Sequence, residues 1–187
     1  VSGSSVTNKT YDGTTAIASS AGTLSGFIGT ETVTATSSAT ASSKDAGSRN
    51  ATLVYTLSDG SNGGLAGNYS LANTSLSVLI SPKALSVSGS TVTDRIYDGT
   101  TAIASSVGTL SGFIGTETVT ATSVATASSK DVGSRNATLV YTLSDGSNGG
   151  LAGNYSLSNT TLPVLISPKA LTVSGSTVTD RIYDGTT

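Results

Sequence analysis

The first 86 residues carry four carboxylates, Asp12, Glu31, Asp45 and Asp59. Cleavage of a glycosidic bond needs two such groups facing each other across a cleft. Three of the four stand beside Gly or inside turn signals, where an Asp side chain serves local backbone geometry instead. A calcium site needs several converging oxygen ligands. The run Asp59-Gly60-Ser61-Asn62-Gly63-Gly64 offers one carboxylate and no EF-hand spacing. An intramolecular Lys–Asn isopeptide bond needs a nearby acid, and Lys44, Asn50 and Glu31 could form such a set, although nothing in their spacing demands it. The chain has no Cys and no His, which removes disulfides, thiol nucleophiles, the Ser-His-Asp triad and the usual zinc ligands. No catalytic, cofactor-binding or metal-ligating residue is assigned, and the chain is not expected to be an enzyme.

Binding chemistry is almost as sparse. Nine basic and eleven acidic residues leave no electrostatic footprint for nucleic acid. A binding face should present an aromatic or apolar patch, and only Phe27 and Phe113, each in Gly-Phe-Ile-Gly, are candidates. Tyr11-Asp12-Gly13 and Tyr97-Asp98-Gly99 recur, which could mark a repeated binding edge. The Asp-Gly pair is also a strong turn signal, and a structural role, with the Tyr packed over the end of the fold, is the favoured reading. Seven Asn-X-Ser/Thr sequons leave glycosylation open.

These residues need a scaffold. Ser and Thr number 66 of 187 residues, with 22 Gly, and 36% of the chain is hydrophobic. Such a composition could belong to a flexible linker, but the apolar residues are ordered. Ala51, Leu53, Tyr55 and Leu57 alternate with polar neighbours. Val33, Ala35, Ala39 and Ala41 share one face, with Thr32, Thr34, Thr36 and Thr40 on the other. Period-two alternation is the signature of a half-buried strand, and β-branched Thr suits the pleated surface. The Thr excess therefore reads as the solvent face of β-sheets.

The strongest feature is a repeat. The run from Tyr11 to Ser20 returns at Tyr97, and its first five residues return at Tyr183, each step being 86 residues. Between 1–86 and 87–172 only 11 positions differ. This period exceeds the unit of a solenoid and matches a small domain. The changes Ala21→Val107, Ser38→Val124 and Ala46→Val132 add volume, which a tight core resists, so these sites are placed at the periphery. Ser77→Pro163 predicts that residue 77 gives no backbone N–H to the ladder and lies in an edge strand or bulge.

Candidate strands in the second copy are 85–89, 91–96, 101–106, 117–127, 136–144, 154–159 and 161–166, separated by Gly- and Asp-rich turns. That spacing predicts an all-β fold of tandem Ig-like antiparallel β-sandwich domains. Tyr69, and its equivalent Tyr155, stands in Gly-Asn-Tyr-Ser-Leu and looks like a tyrosine corner, its hydroxyl returning to an upstream backbone group; a simple interfacial aromatic is the alternative. Pro82 and Pro168 stand in Ile-Ser-Pro-Lys-Ala-Leu joints with almost no linker, from which a stiff, elongated rod is expected. The expected division is 1–82, a first repeat without its leading residues; 83–168, a second; and 169–187, either the opening of a third or the last strands of the second.

The Tyr-Asp-Gly-Thr-Thr opening, the Lys44-Asp45-Ala46-Gly47 turn, Gly67-Asn68-Tyr69-Ser70-Leu71 and the Ile80 to Leu85 joint follow one another in order. The ordered set resembles the YDG and "mostly bacterial Ig" repeats of large bacterial adhesins, including filamentous-haemagglutinin-like proteins. The resemblance implies a secreted or outer-membrane-associated stalk module on the bacterial cell surface. Its partners would be neighbouring repeats, with any glycan, host or biofilm surface engaged through other domains. No nucleic acid partner and no membrane insertion are expected for this segment. The alternative is a multivalent module binding glycan or protein weakly through each unit.

Overall fold

The computed structural model describes residues 1–186. The Tyr183 to Thr187 motif therefore has its last residue, Thr187, outside the described residues. The first unit contributes β1 (Ser5–Val6), β2 (Lys9–Thr10), β3 (Ala16–Ile17), β4 (Ser19–Ser20), β5 (Val33–Ala41), β6 (Gly47–Asp59) and β7 (Thr74–Ser81). The second begins with β8 (Lys83–Ser88), β9 (Thr91–Val92), β10 (Arg95–Ile96), β11 (Ala102–Ile103), β12 (Ser105–Ser106) and β13 (Thr109–Ser111). It continues with β14 (Val119–Ala127), β15 (Gly133–Asp145), β16 (Tyr155–Leu157) and β17 (Thr160–Ser167). The fold is all-β; apart from strands, the described residues hold two short 3-10 turns, at Ala66–Asn68 and Ala152–Asn154. No helix among the described residues is long and apolar enough to cross a membrane.

Each unit is built on a five-stranded sheet, in the order β2-β7-β6-β5-β3 in the first and β10-β17-β15-β14-β11 in the second. The long hairpin β5–β6 shows why. Thr34, Thr36 and Thr40 face solvent, whereas Val33, Ala39, Ala41, Ala51 and Leu53 are buried. Register holds this pattern, because a one-residue slip would exchange the faces. Opposite the second large sheet run two smaller ones, β12-β9 and β13-β8-β16. Val92 of β9 packs on the buried face made by Ile103, Ala125, Leu139, Val164 and Ile166. Hydroxyls tie the layers together: Tyr141 donates to Ser90 Oγ at 2.9 Å, and Ser105 Oγ lies 2.9 Å from Ser123 Oγ. Several sheets enclosing an apolar layer are consistent with a β-sandwich.

Several expectations need correction. The segments 91–96 and 101–106 are not single strands. β9 and β12 belong to a small sheet and β10 and β11 to the large one, so the chain changes sheets within a few residues. Asp94 sits at that crossing and its Oδ1 accepts the Leu165 N–H at 2.8 Å; Asn8 does the same for Leu79. The substitution Asn8→Asp94 thus keeps the one atom that matters. Strand β13 lies in a stretch read as connection, and the hairpin strand expected from 136 begins at Gly133. Nor is the pairing purely antiparallel: β2 with β7, β10 with β17, and β16 with β8 are parallel. These arise because strands from the start of a unit pair with strands from its end.

Strand β7 is not an edge strand, since β2 flanks it, but β2 pairs only with Ile80 and Ser81, so residue 77 lies where Pro is harmless. Asn50, its cross-strand neighbour, gives its carbonyl to the Ser42 N–H, on the side of β5. Leu79, two residues along β7, gives its N–H to Asn8, on the opposite side from β6. Strand alternation points the Ser77 N–H the same way, so Pro163 removes no β15–β17 bond. The three volume-adding positions are peripheral: Val124 is 70% exposed, Val132 is exposed and Val107 is half-buried.

Candidate functional site: the joint between repeats

Only Pro82 separates β7 from β8, so the last strand of one unit runs straight into the first strand of the next. The segments that flank this point converge on Glu117, one of two Glu in the chain. The Asp145 to Gly150 turn holds that segment in place. Thr118 donates its N–H to Ser147 O at 3.2 Å, Ser147 N–H returns to Thr118 Oγ1 at 3.0 Å, and Asn148 Nδ2 reaches Thr116 O at 3.0 Å. Asp145 Oδ1 accepts the Ala152 N–H at 2.7 Å, and Asp59 does the same for Ala66, so these carboxylates serve the turn. A Cβ on Gly150 would lie 1.9 Å from Thr118 O, which is why this turn needs Gly there.

Glu117 is nearly buried, at 9% exposure, and both its oxygens are engaged. Oε1 accepts the Tyr11 hydroxyl at 2.7 Å and faces Lys44 Nζ at 3.4 Å. Oε2 accepts the Tyr155 hydroxyl at 2.6 Å, and that hydroxyl in turn accepts the Ile114 N–H at 3.1 Å. Tyr11 and Lys44 come from the first unit; Glu117, Ile114 and Tyr155 come from the second. A second bond pair crosses beside it. Asn154 Oδ1 accepts the Ala46 N–H at 2.8 Å, and Asn154 Nδ2 donates to Asp45 Oδ1 at 3.0 Å. Rings seal the cluster, Tyr11 meeting Tyr155 edge-on at 5.6 Å and Phe113 meeting Tyr155 at 5.8 Å. The buried apolar cluster of the first unit is continuous through Tyr11 with Leu85, Val119 and Tyr155 of the second.

The electrostatics follow from this geometry. Burial pushes the Glu117 carboxyl up, but hydrogen bonds from Tyr155, Tyr11 and Lys44 outweigh it and hold the group below the ordinary Glu range. Burial, then the Glu117 carboxylate, pushes Tyr11 and Tyr155 up to about 12. The bond from Asn154 is the main cause holding Asp45 below its ordinary value. The result is an ionised carboxylate with donors on both oxygens, a device for fastening two surfaces.

The recurrent motif residues divide by place. Tyr11 is buried in the joint and its N–H also donates to Ser81 O at 2.8 Å; Tyr97 repeats that backbone bond to Ser167 but is only half-buried. Asp12 Oδ1 accepts the Thr14 N–H at 2.9 Å and Lys9 Nζ at 2.7 Å; Asp98 does the same with Thr100 and Arg95. Gly13 and Gly99 both have φ near +80° (78° and 84°), but only at Gly13 would a Cβ meet Ile114, at 2.9 Å. Pro82 and Pro168 are exposed. Phe27 and Phe113 are half-buried, each edge-on to a Tyr, at 5.9 Å for Phe27 and Tyr69.

Two readings of these residues change. Tyr69 and Tyr155 do bond an upstream backbone group, but it lies 41 residues away, on the loop carrying the Glu, and the same hydroxyl donates to that Glu; this is not the local corner of immunoglobulin domains. Lys44 faces Glu117 of the next unit instead of joining Asn50 and Glu31, and Glu31 is taken by Tyr69 at 2.7 Å. Sequence reasoning passed over Glu117 and Asn154. The signal was there: Glu appears once per copy, at Glu31 and Glu117, in a chain otherwise dominated by hydroxyls.

The family model for the YDG domain matches residues 1–76 and 81–162. The chain belongs to the YDG domain family. The two matched segments flank the joint, so Tyr11 and Glu117 belong to consecutive YDG domains. Comparison with curated proteins and with solved structures gave no match.

Proposed function

We propose that this chain is a run of stalk units from a bacterial cell-surface or secreted adhesin. Its YDG domains act as non-enzymatic spacers, stacked end to end as Ig-like sandwiches in an elongated rod that projects a distal binding domain. The observation carrying this reading is the joint. A spacer transmits length only if consecutive units hold a fixed angle, and two units related by repetition here share a buried ion, two crossing hydrogen bonds and a continuous apolar contact. Inter-domain contacts of a flexible string are small and polar, and motion is then the default. The hydroxyl-rich outer faces keep a long assembly hydrated without strong fields, and a chain without Cys folds irrespective of redox conditions.

Strands of 13 residues give each unit a length of about 40 Å at ~3.3 Å per residue. Maximum dimension measured by small-angle scattering on chains of two, four and six repeats should rise linearly by a near-constant step. A dimension that saturates with copy number would show hinged units and defeat the spacer reading.

A further inference from the structure

Each large sheet has one edge that the chain leaves bare. In the first unit it belongs to β5. Ala41 gives its N–H to Thr15 O at 2.8 Å, on the side of β3, whereas Ser42 gives its N–H to Asn50 O at 2.8 Å, on the side of β6. Strand alternation therefore turns the N–H and C=O of Val33, Ala35 and Ser37 away from β6. β3 reaches only Ala39 and Thr40, so these three residues face no strand among the described residues. The second unit repeats the arrangement. Ala127 gives its N–H to Thr101 O and Ser128 to Asn136 O, both at 2.8 Å, and β11 reaches only Ala125 and Thr126. Val119, Ala121 and Ser123 are left facing out. The joint hides neither edge. β5 belongs to a unit with a successor and β14 to a unit with a predecessor, and the edge is open in both.

The opposite flank of the same sheets is guarded. Asn8 and Asp94 cap the outward N–H groups of Leu79 and Leu165, and Pro163 has no N–H to offer. Charges, Pro and bulges are the usual protection of a sheet edge. The open edges have none of these. β5 and β14 contain no charged residue and no Pro, and their register with β6 and β15 runs without a bulge.

We propose that this edge is a strand-addition site, and that its occupant is the same edge of a second copy of the chain. The three outward residues are centred on Ala121, or on Ala35 in β5. An antiparallel partner related by a two-fold axis through Ala121 sets Val119 opposite Ser123 and Ala121 opposite itself, so every outward N–H meets an outward C=O. Small side chains meet on the inner face. On the outer face exposed Thr120 lies opposite exposed Thr122, a favourable cross-strand pair, and no like charges oppose one another. Val-Thr-Ala-Thr-Ser stands unchanged at 33–37 and 119–123, so either unit can meet either unit. Three residues make a weak contact alone, but two edges per chain make it multivalent. Chains add side by side, so the pairing is independent of the end-to-end spacer reading and can fail while that reading stands.

The test uses the full chain. Its weight-average mass in sedimentation velocity should rise with concentration to about twice the monomer or beyond. Thr36→Lys with Thr122→Lys, exposed changes that set like charges across the two-fold, should return it to monomer with circular dichroism unchanged. Thr52→Lys with Thr138→Lys, also exposed but on β6 and β15, should leave association intact. Register is read by mixing two chains, one carrying Thr34→Cys and Thr120→Cys, the other Thr36→Cys and Thr122→Cys; there is no other thiol. Opposed positions would lie about 4.5 Å apart between Cα atoms, within disulfide reach. On oxidation the mixture should cross-link more than either chain alone. A mass that stays monomeric, which leaves the edge to a foreign strand, association indifferent to the edge lysines, or cross-linking no greater in the mixture would overturn the proposal.

Discussion

Tyr11 is 1% exposed and gives its hydroxyl to Glu117, 106 residues away, whereas Tyr97, in the same local sequence, packs half-buried against the core of its own unit. One residue type thus does two jobs according to whether a neighbour stands in front of it. Removing the Tyr11 oxygen leaves a buried carboxylate with one donor fewer, at a cost of about 1–2 kcal/mol. We expect Tyr11→Phe to lower unfolding stability by that amount in denaturant titrations. Tyr97→Phe should change it by less than about 0.5 kcal/mol, as a surface change does. Equal effects would mean that the hydroxyl of Tyr11 contributes nothing across the joint. The singular Glu of each copy marks the position, but its role does not show within one copy, because two of the three partners of Glu117, Tyr11 and Lys44, belong to the preceding unit.

At the scale of elements, the long hairpins were legible and the short strands were not. Nine residues of β5 and thirteen of β6 repeat the alternation often enough for the buried face to declare itself. β3 and β4 have two residues each, are separated by Ala18 alone and go to different sheets; no pattern that short carries its own address. The Ser77→Pro163 difference was informative because Pro reports on one N–H directly. Ser77→Pro should therefore be tolerated in the first unit, with stability within about 1 kcal/mol of the parent. Val78→Pro, one residue on, removes a β6–β7 ladder bond and leaves a buried carbonyl unpaired, which should cost about 1–3 kcal/mol beyond the Ser77→Pro change. Thermal unfolding of the two variants tests the pair, and a large loss for Ser77→Pro would contradict the assigned register.

At the scale of the whole molecule, the joint makes stability depend on pH at both limits. Glu117 and Asp45 are held below their ordinary values in the folded chain, so their contribution is present above the unfolded values of about 4 and is lost as pH falls through the folded ones. Tyr11 and Tyr155 are shifted the other way. Their contribution is complete below about pH 10 and declines as pH rises towards about 12. Melting temperature should therefore form a plateau with two falling limbs, and Glu117→Gln should flatten both. An unchanged profile in that variant would place the pH dependence elsewhere. The repeat itself could be read from sequence without difficulty, since two copies differ at only 11 positions. How one copy meets the next could not, because the side-chain hydrogen bonds across the joint join residues 73 to 109 positions apart.

The parallel pairings at the unit's margins have a mechanical consequence. β10, early in the second unit, lies parallel to β17, its last strand, and β8, its first strand, lies parallel to β16. A pull on the two ends of the unit draws such partners in opposite directions along a shared axis. Their hydrogen bonds are then loaded together, in shear, where an antiparallel pair pulled from the same end would peel one bond at a time.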